Sequence, residues 1–235
     1  MRFQLLILLA SASQIFAGEL VAPATARQSV VVATHGWSDT SGTLRRFSRS
    51  DARGPWHAVG PAISVNVGRS GLAWGLGLHT IPADGLRKVE GDGKAPAGVF
   101  RLIAAFGYDE KPAGVSLPYI RGGPDIEAID DPQSRYYNRI VDRTRIAKRD
   151  WNSSEKMRPD SEDYRLGIVV AHNPRAVPRA GSCIFMHLWR GPGRGSSGCT
   201  TMPRGAIAEI QRWLRPDAHP VLMQAPREFL PDAMQ

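Results

Sequence analysis

Residues 166–215 read LGIVVAHNPRAVPRAGSCIFMHLWRGPGRGSSGCTTMPRGAIAEIQRWLR. LGIVVAH and SCIFMHLW are short apolar runs bounded by turn residues, the pattern of buried strands. NPRAVPRAG, with two prolines and a glycine, joins them as neighbours. GPGRGSSG, with four glycines and a proline, makes a loop. Beyond it Ala206, Ile207, Ile210, Trp213 and Leu214 recur at helical spacing. Pro203 suits the first turn of that helix, and Pro216 ends it.

The same stretch carries the chemistry. Cys199 stands in the glycine-rich loop, twelve residues after His187 on the second strand. A thiol among small residues, with a histidine arriving from an apolar run, is the pattern of a cysteine nucleophile and its base. Local spacing cannot bring the two together, so the loop must. An imidazole beside the thiol favours the thiolate, the reactive form, and a helix start facing it would add to that. Backbone N–H groups around Ser197, Gly198 and Cys199 are the candidates to hold an oxyanion. Arg190 and Arg194, in the loop, are candidates to grip substrate carboxylates, because a guanidinium binds them bidentately. For His172, at the end of the first strand, two readings stay open: it orients substrate or His187, or it is a satisfied polar residue. Cys183 lies four residues before His187, about 13 Å away on the same face of a regular strand. It is read as a small buried residue whose side chain points away from the chemistry, and not as a disulfide partner of Cys199.

Outward from this stretch the chain reads as mainly β. The 24 glycines and 18 prolines are spread along it and favour short strands and turns. SVVVA at 29–33, TLRRFSR at 43–49, WHAVG at 56–60, ISVNV at 63–67 and HPVLMQA at 219–225 have strand character. GDGKAPAGVFRL at 91–102 pairs turn signals with a strand and predicts a hairpin over 91–106. It is no phosphate loop, because the Gly-Lys-Ser/Thr ending is missing. Trp74 and His79 sit in the glycine-rich run 68–79, as candidates for an opposite wall of the site. Residues 107–165 are polar, irregular and too long for an ordinary connection; such segments in compact domains cover sites.

The motifs resemble those of the YkuD-type L,D-transpeptidases, cysteine enzymes that cross-link peptidoglycan. The family pattern is a histidine on a strand, a variable stretch, then Ser/Thr-His-Gly-Cys. His187 and the run Ser196, Ser197, Gly198, Cys199 match it, with Ser197 where most members carry a second histidine. Thr201 stands where a basic residue is common. Met202 matches a divergent branch ending in Ser-x-Gly-Cys-x-x-Met, some members of which resemble hydrolases. The 91–102 run is similar to the family's Gly-Asp-Gly hairpin. The resemblance covers about 41–224 and implies a YkuD-like mixed β-sheet domain with one helix following the cysteine, and 225–235 as a tail. It implies acyl transfer through a thioester on Cys199, with His187 as base held by a backbone carbonyl. The donor would be a peptidoglycan stem peptide, cleaved at the L-centre of diaminopimelate with D-alanine leaving, and Ser196, His172, Arg190 and Arg194 would contact it. An amine acceptor gives a cross-link, and water would make the same site a peptidase or amidase. A non-catalytic wall-binding protein on the same fold is the third reading.

Composition bounds the rest. At 235 residues a single domain with a full core is expected. Thirty Lys and Arg against 22 Asp and Glu imply attraction to polyanions. The charges do not cluster as on a nucleic-acid-reading helix, so nucleic acid is not the expected partner. No Cys/His spacing matches a zinc signature, Asp130-Asp131 reads as a turn, and neither metal nor cofactor is expected. Met1-Arg2 followed by an apolar run to Ala10 and small residues to Ala17 reads as a secretory signal peptide, cut near 17 or as late as 26. A periplasmic or secreted protein without a membrane span in its mature chain is expected, with an uncleaved N-terminal anchor as the alternative.

Overall fold

The structure is a computed structural model and describes residues 18–52 and 54–235; the expected signal peptide lies outside them. The strands are β1 Gln28–Thr34, β2 Ser41–Ser48, β3 His57–Asn66, β4 Leu72–Trp74, β5 Ala95–Gly107, β6 Tyr119–Arg121, β7 Ile126–Ile129, β8 Arg139–Asp142, β9 Glu155–Lys156, β10 Leu166–Val170, β11 Phe185–Leu188, β12 Thr200–Met202 and β13 Val221–Pro226. The α-helix of the described residues, α1, is Arg204–Trp213. Strands run in the order β10-β11-β12-β3-β2-β1-β13-β5, and β5 pairs again with β10, so the sheet closes on itself. The sheet is mixed: β1–β13 and β11–β12 are parallel, while β1–β2, β10–β11 and β5–β13 are antiparallel. Closure removes the free edges that an open sheet of this size would leave.

Local sequence explains the elements. QSVVVAT is buried at every position because β1 has a strand on each side and core on both faces. WHAVG and ISVNV, expected as two strands, are one strand, β3. Its pairing with β2 shifts register between Leu44 and Arg46, where Gly60 and the N–H-less Pro61 sit. Helix α1 buries Ala206, Ile207, Ile210 and Gln211, and Gln211 Nε2 donates to the Phe106 and Gly167 carbonyls at 3.0 and 2.7 Å.

Three expectations change. The folded unit is wider than 41–224. β1 lies between β2 and β13, and Leu230 and Met234, expected in a tail, are buried in the main core. The Leu20 N–H donates to the Phe229 carbonyl at 2.8 Å, tying the two ends of the described chain together. Residues 91–106 are not a hairpin: β5 runs for 13 residues, and its preceding neighbour β4 is parallel to it. The 91–94 turn is shaped by Asp92, which accepts the backbone N–H groups of Val89 and Lys94. Finally, β12 intervenes between Cys199 and α1, so the thiol does not sit at the helix start.

The 107–165 segment holds β6 and a small sheet in the order β8-β7-β9. Phe106, Ala128, Met157, Cys183, Phe185 and Cys199 form a second buried cluster, where this small sheet meets the closed one. Cys199 therefore lies at a junction between two sheets. Among the described residues no helix is long and apolar enough to cross a membrane.

Candidate active site

His187 is on β11, in register with Gly167 of β10 and Thr201 of β12. Its Nδ1 lies 2.9 Å from the Leu188 carbonyl. A carbonyl can only accept, so Nδ1 carries the proton and Nε2 is the basic nitrogen. The Tyr164 ring meets the imidazole edge-on, with centroids 4.9 Å apart at 89°. Burial pushes the His187 pKa down to about 4, against smaller raising effects of the Leu188 carbonyl and of Asp163.

Cys199 is buried. Its Sγ accepts the Phe185 N–H at 3.3 Å and donates to the Cys183 carbonyl at 3.7 Å. Burial, with the Glu155 carboxyl nearby, pushes the thiol up to about 12, while the Phe185 N–H and Lys88 pull it down. At neutral pH the pair is thus thiol and neutral imidazole, not a preformed ion pair. Both residues line one cleft of about 420 Å³ with Arg69, Asp163, Tyr164, Arg190, Arg194, Ser196, Ser197 and Thr201.

The loop before Cys199 is held from both ends. Ser196 Oγ donates to the Cys199 carbonyl at 2.5 Å and accepts the Gly198 N–H at 3.0 Å. Its hydroxyl is committed to the turn and not to substrate, and the Gly198 N–H is likewise unavailable to an oxyanion. Ser197 Oγ accepts from Arg69 Nη1 at 2.9 Å. The Arg69 backbone passes so close that a methyl on Gly195 would stand 2.6 Å from its Cα. Asn66, 1% exposed, donates to the Gly191 and Arg194 carbonyls at 2.9 and 3.0 Å and accepts the Gly193 N–H at 2.9 Å. Asn66→Ala removes three bonds that no neighbouring side chain replaces. It should lower the unfolding free energy by about 2 kcal/mol in a urea titration and raise KM by loosening the Arg194 loop.

The other expected residues fall as follows. Arg194 is exposed at the cleft. Arg190 is not free for substrate: its guanidinium makes a two-pronged ion pair with Asp163, whose carboxyl it holds below the usual range. His172 does not line the cleft. It is buried against Phe100, with Nε2 2.9 Å from the Ala180 carbonyl and Nδ1 unpartnered. Trp74 and His79 also lie elsewhere, packed with Trp37, Phe100 and Phe229. Cys183 is not in β11. It precedes it with φ +52°, its Sγ donates to the Ile129 carbonyl at 3.4 Å, and its own carbonyl faces Cys199. Both thiols are free. The Cys183 backbone therefore lies beside Cys199, although its side chain is turned to Ile129. Arg69, Asn66, Asp163 and Tyr164 were missed as individual site residues; of these only Asp163 and Tyr164 belong to a segment expected to cover the site.

His172 shares with His187 a pKa lowered by burial to about 4 from an ordinary 6.5. The unfolded chain binds protons at these positions between pH 6.5 and 4 and the folded chain does not, so stability falls as pH drops through that window. The loss should reach on the order of 3 kcal/mol per histidine near pH 4, read as the change in unfolding free energy between pH 7 and 4.

A search of curated proteins gave no match, and a search of solved structures gave none. The family model for YkuD, the L,D-transpeptidase catalytic domain, matches residues 56–223, more than half of the 235. That span carries His187, the glycine loop, Cys199 and α1. The chain belongs to the YkuD family of L,D-transpeptidase catalytic domains, whose members act on peptidoglycan.

Proposed function

We propose that this chain is an exported cysteine acyltransferase that forms L,D cross-links between peptidoglycan stem peptides through a thioester on Cys199. The observation that carries the reading is the cleft shared by Cys199 and His187, with Nδ1 of the histidine fixed on the Leu188 carbonyl and Nε2 left basic. The charged start and apolar run of residues 1–17 support export.

The first step turns the Cys199 sulfur out of its contact with the Phe185 N–H and into the cleft. His187 Nε2 takes the thiol proton as sulfur attacks the carbonyl carbon at the L-centre of diaminopimelate. Neutral thiol and neutral imidazole make this a concerted general-base step. The tetrahedral intermediate collapses, the C–N bond breaks, and the D-alanine nitrogen leaves with the proton from His187. The amine of a second stem then attacks the thioester and loses a proton to His187. Collapse expels sulfur, which recovers that proton. Arg194 and Arg69 are the cations left to hold stem carboxylates, since Arg190 is paired. The cleft walls from Asp163 and Tyr164 come from the long 107–165 segment, which supports a groove for the acceptor.

Incubation with a tetrapeptide stem tests the reading by mass spectrometry. A cross-linked dimer with loss of D-alanine is expected. Cleaved monomer alone, with acceptor in large excess, replaces transfer by hydrolysis. Unchanged stem, under conditions where the protein binds wall polymer, replaces both by a binding function.

A further inference from the structure

A thiol as buried as Cys199 needs positive charge nearby when its proton leaves, because the apolar cluster around it penalises the anion. The groups around Sγ are Glu155 and Tyr164 from the 155–164 segment, Cys183 before β11, His187 on β11 and Lys88 from the turn before β5. Glu155 and Tyr164 are joined by a hydrogen bond and offer no cation. Lys88 is the cation that favours the thiolate, and its ammonium lies beside Gly198, the residue before Cys199.

Lys88 is built into place. Its side chain is 3% exposed, and its ammonium donates to Asp92 Oδ1 at 2.8 Å. Asp92 also accepts the Val89 and Lys94 N–H groups at 2.9 and 2.8 Å. Although burial pushes the Asp92 carboxyl up, the bonds from Lys88, Val89 and Lys94 hold it below the usual carboxylate range, so it stays ionised. The stem of Lys88 lies along Gly181, where a methyl would stand 2.8 Å from Cε. The ammonium ends behind Gly198, the residue next to the nucleophile. A methyl on Gly198 would stand 3.6 Å from Nζ and 3.0 Å from the Lys94 carbonyl, and its φ of +151° is itself one that favours glycine. Gly198 therefore lets the cysteine loop and the Lys88 turn approach closely. Of the two ends of the ion pair, it is the ammonium that stands nearer Gly198.

We propose that Lys88, held by Asp92 behind Gly198, is the positioning residue whose ammonium stabilises the Cys199 thiolate as it forms. It touches neither substrate nor sulfur and works through the field it sets at the loop. The inference rests on Cys199 being the nucleophile proposed above, but its test does not require turnover.

The rate at which iodoacetamide alkylates Cys199 in the full chain at pH 8, assigned by peptide mapping, reads the thiolate fraction. At a pH well below the thiol's pKa, raising that pKa by one lowers the fraction about tenfold. Lys88→Met should slow alkylation about tenfold, and Lys88→Arg should restore most of the rate. Lys88→Gln, which keeps the stem and a donor for Asp92, replaces the Met variant if that does not fold. An unchanged rate in a folded neutral variant overturns the inference. Equal slowing in the Arg and neutral variants assigns the effect to packing and overturns it as well. If native protein turns over no stem yet Lys88→Met slows alkylation, the proposed function fails and the role of Lys88 stands. If turnover is intact and the rate is unmoved, the reverse holds.

Discussion

Cys199→Ala is expected to lower turnover of stem peptide by about 10⁴-fold or more while leaving the melting temperature within a few degrees of native. The sulfur makes one bond from Phe185 N–H and one weak bond to the Cys183 carbonyl, and the cavity left by a single atom is small. Cys183→Ala is the matched control. Its Sγ bonds the Ile129 carbonyl, and it is the backbone of Cys183, retained in the variant, that faces the Cys199 sulfur. Activity near native in Cys183→Ala and none in Cys199→Ala is the expected pair of results in a muropeptide assay. Residual full activity of Cys199→Ala would remove the nucleophile assignment.

His187→Gln should cost about 10³-fold in kcat with a smaller change in KM, the scale of a lost general base. The glutamine keeps a donor for the Leu188 carbonyl but supplies no basic nitrogen. The native enzyme should show an acid limb in kcat/KM near pH 4, because burial holds the imidazole neutral down to there. An acid limb near 6.5 would mean that the working histidine is solvated, contrary to its position beside Tyr164 on β11. A variant with native kcat would transfer the role of base to another group.

What could be read from the sequence followed its local signals. SVVVA, LGIVVAH, SCIFMHLW and HPVLMQA became β1, β10, β11 and β13, because unbroken apolar runs have few ways to be buried. The helix after the loop follows from the spacing of Ala206, Ile207 and Ile210. That Cys199 and His187 share a cleft was readable, because a thiol among small residues and a histidine on an apolar run are the residue types of a nucleophile and base. The misreadings share another cause. Asp92 folds the 91–94 turn onto Lys88, and the partners of β5 come from distant segments, so hairpin signals there are local turn chemistry only. Cys183 takes a left-handed φ and stands before β11, which breaks the strand periodicity used to set its distance from His187. Arg190 is neutralised by Asp163, which arrives from 27 residues earlier. Arg69 and Asn66 bond residues about 125 positions away in the chain, and nothing in their own neighbourhood marks that.

The most direct test is intact-mass measurement of the protein quenched in acid during turnover of a tetrapeptide stem. A mass gain equal to the donor acyl group is expected, mapped to the peptide bearing Cys199, lost on hydroxylamine treatment and absent from Cys199→Ala. Steady turnover with no adduct on Cys199, or an adduct that persists in Cys199→Ala, would contradict it.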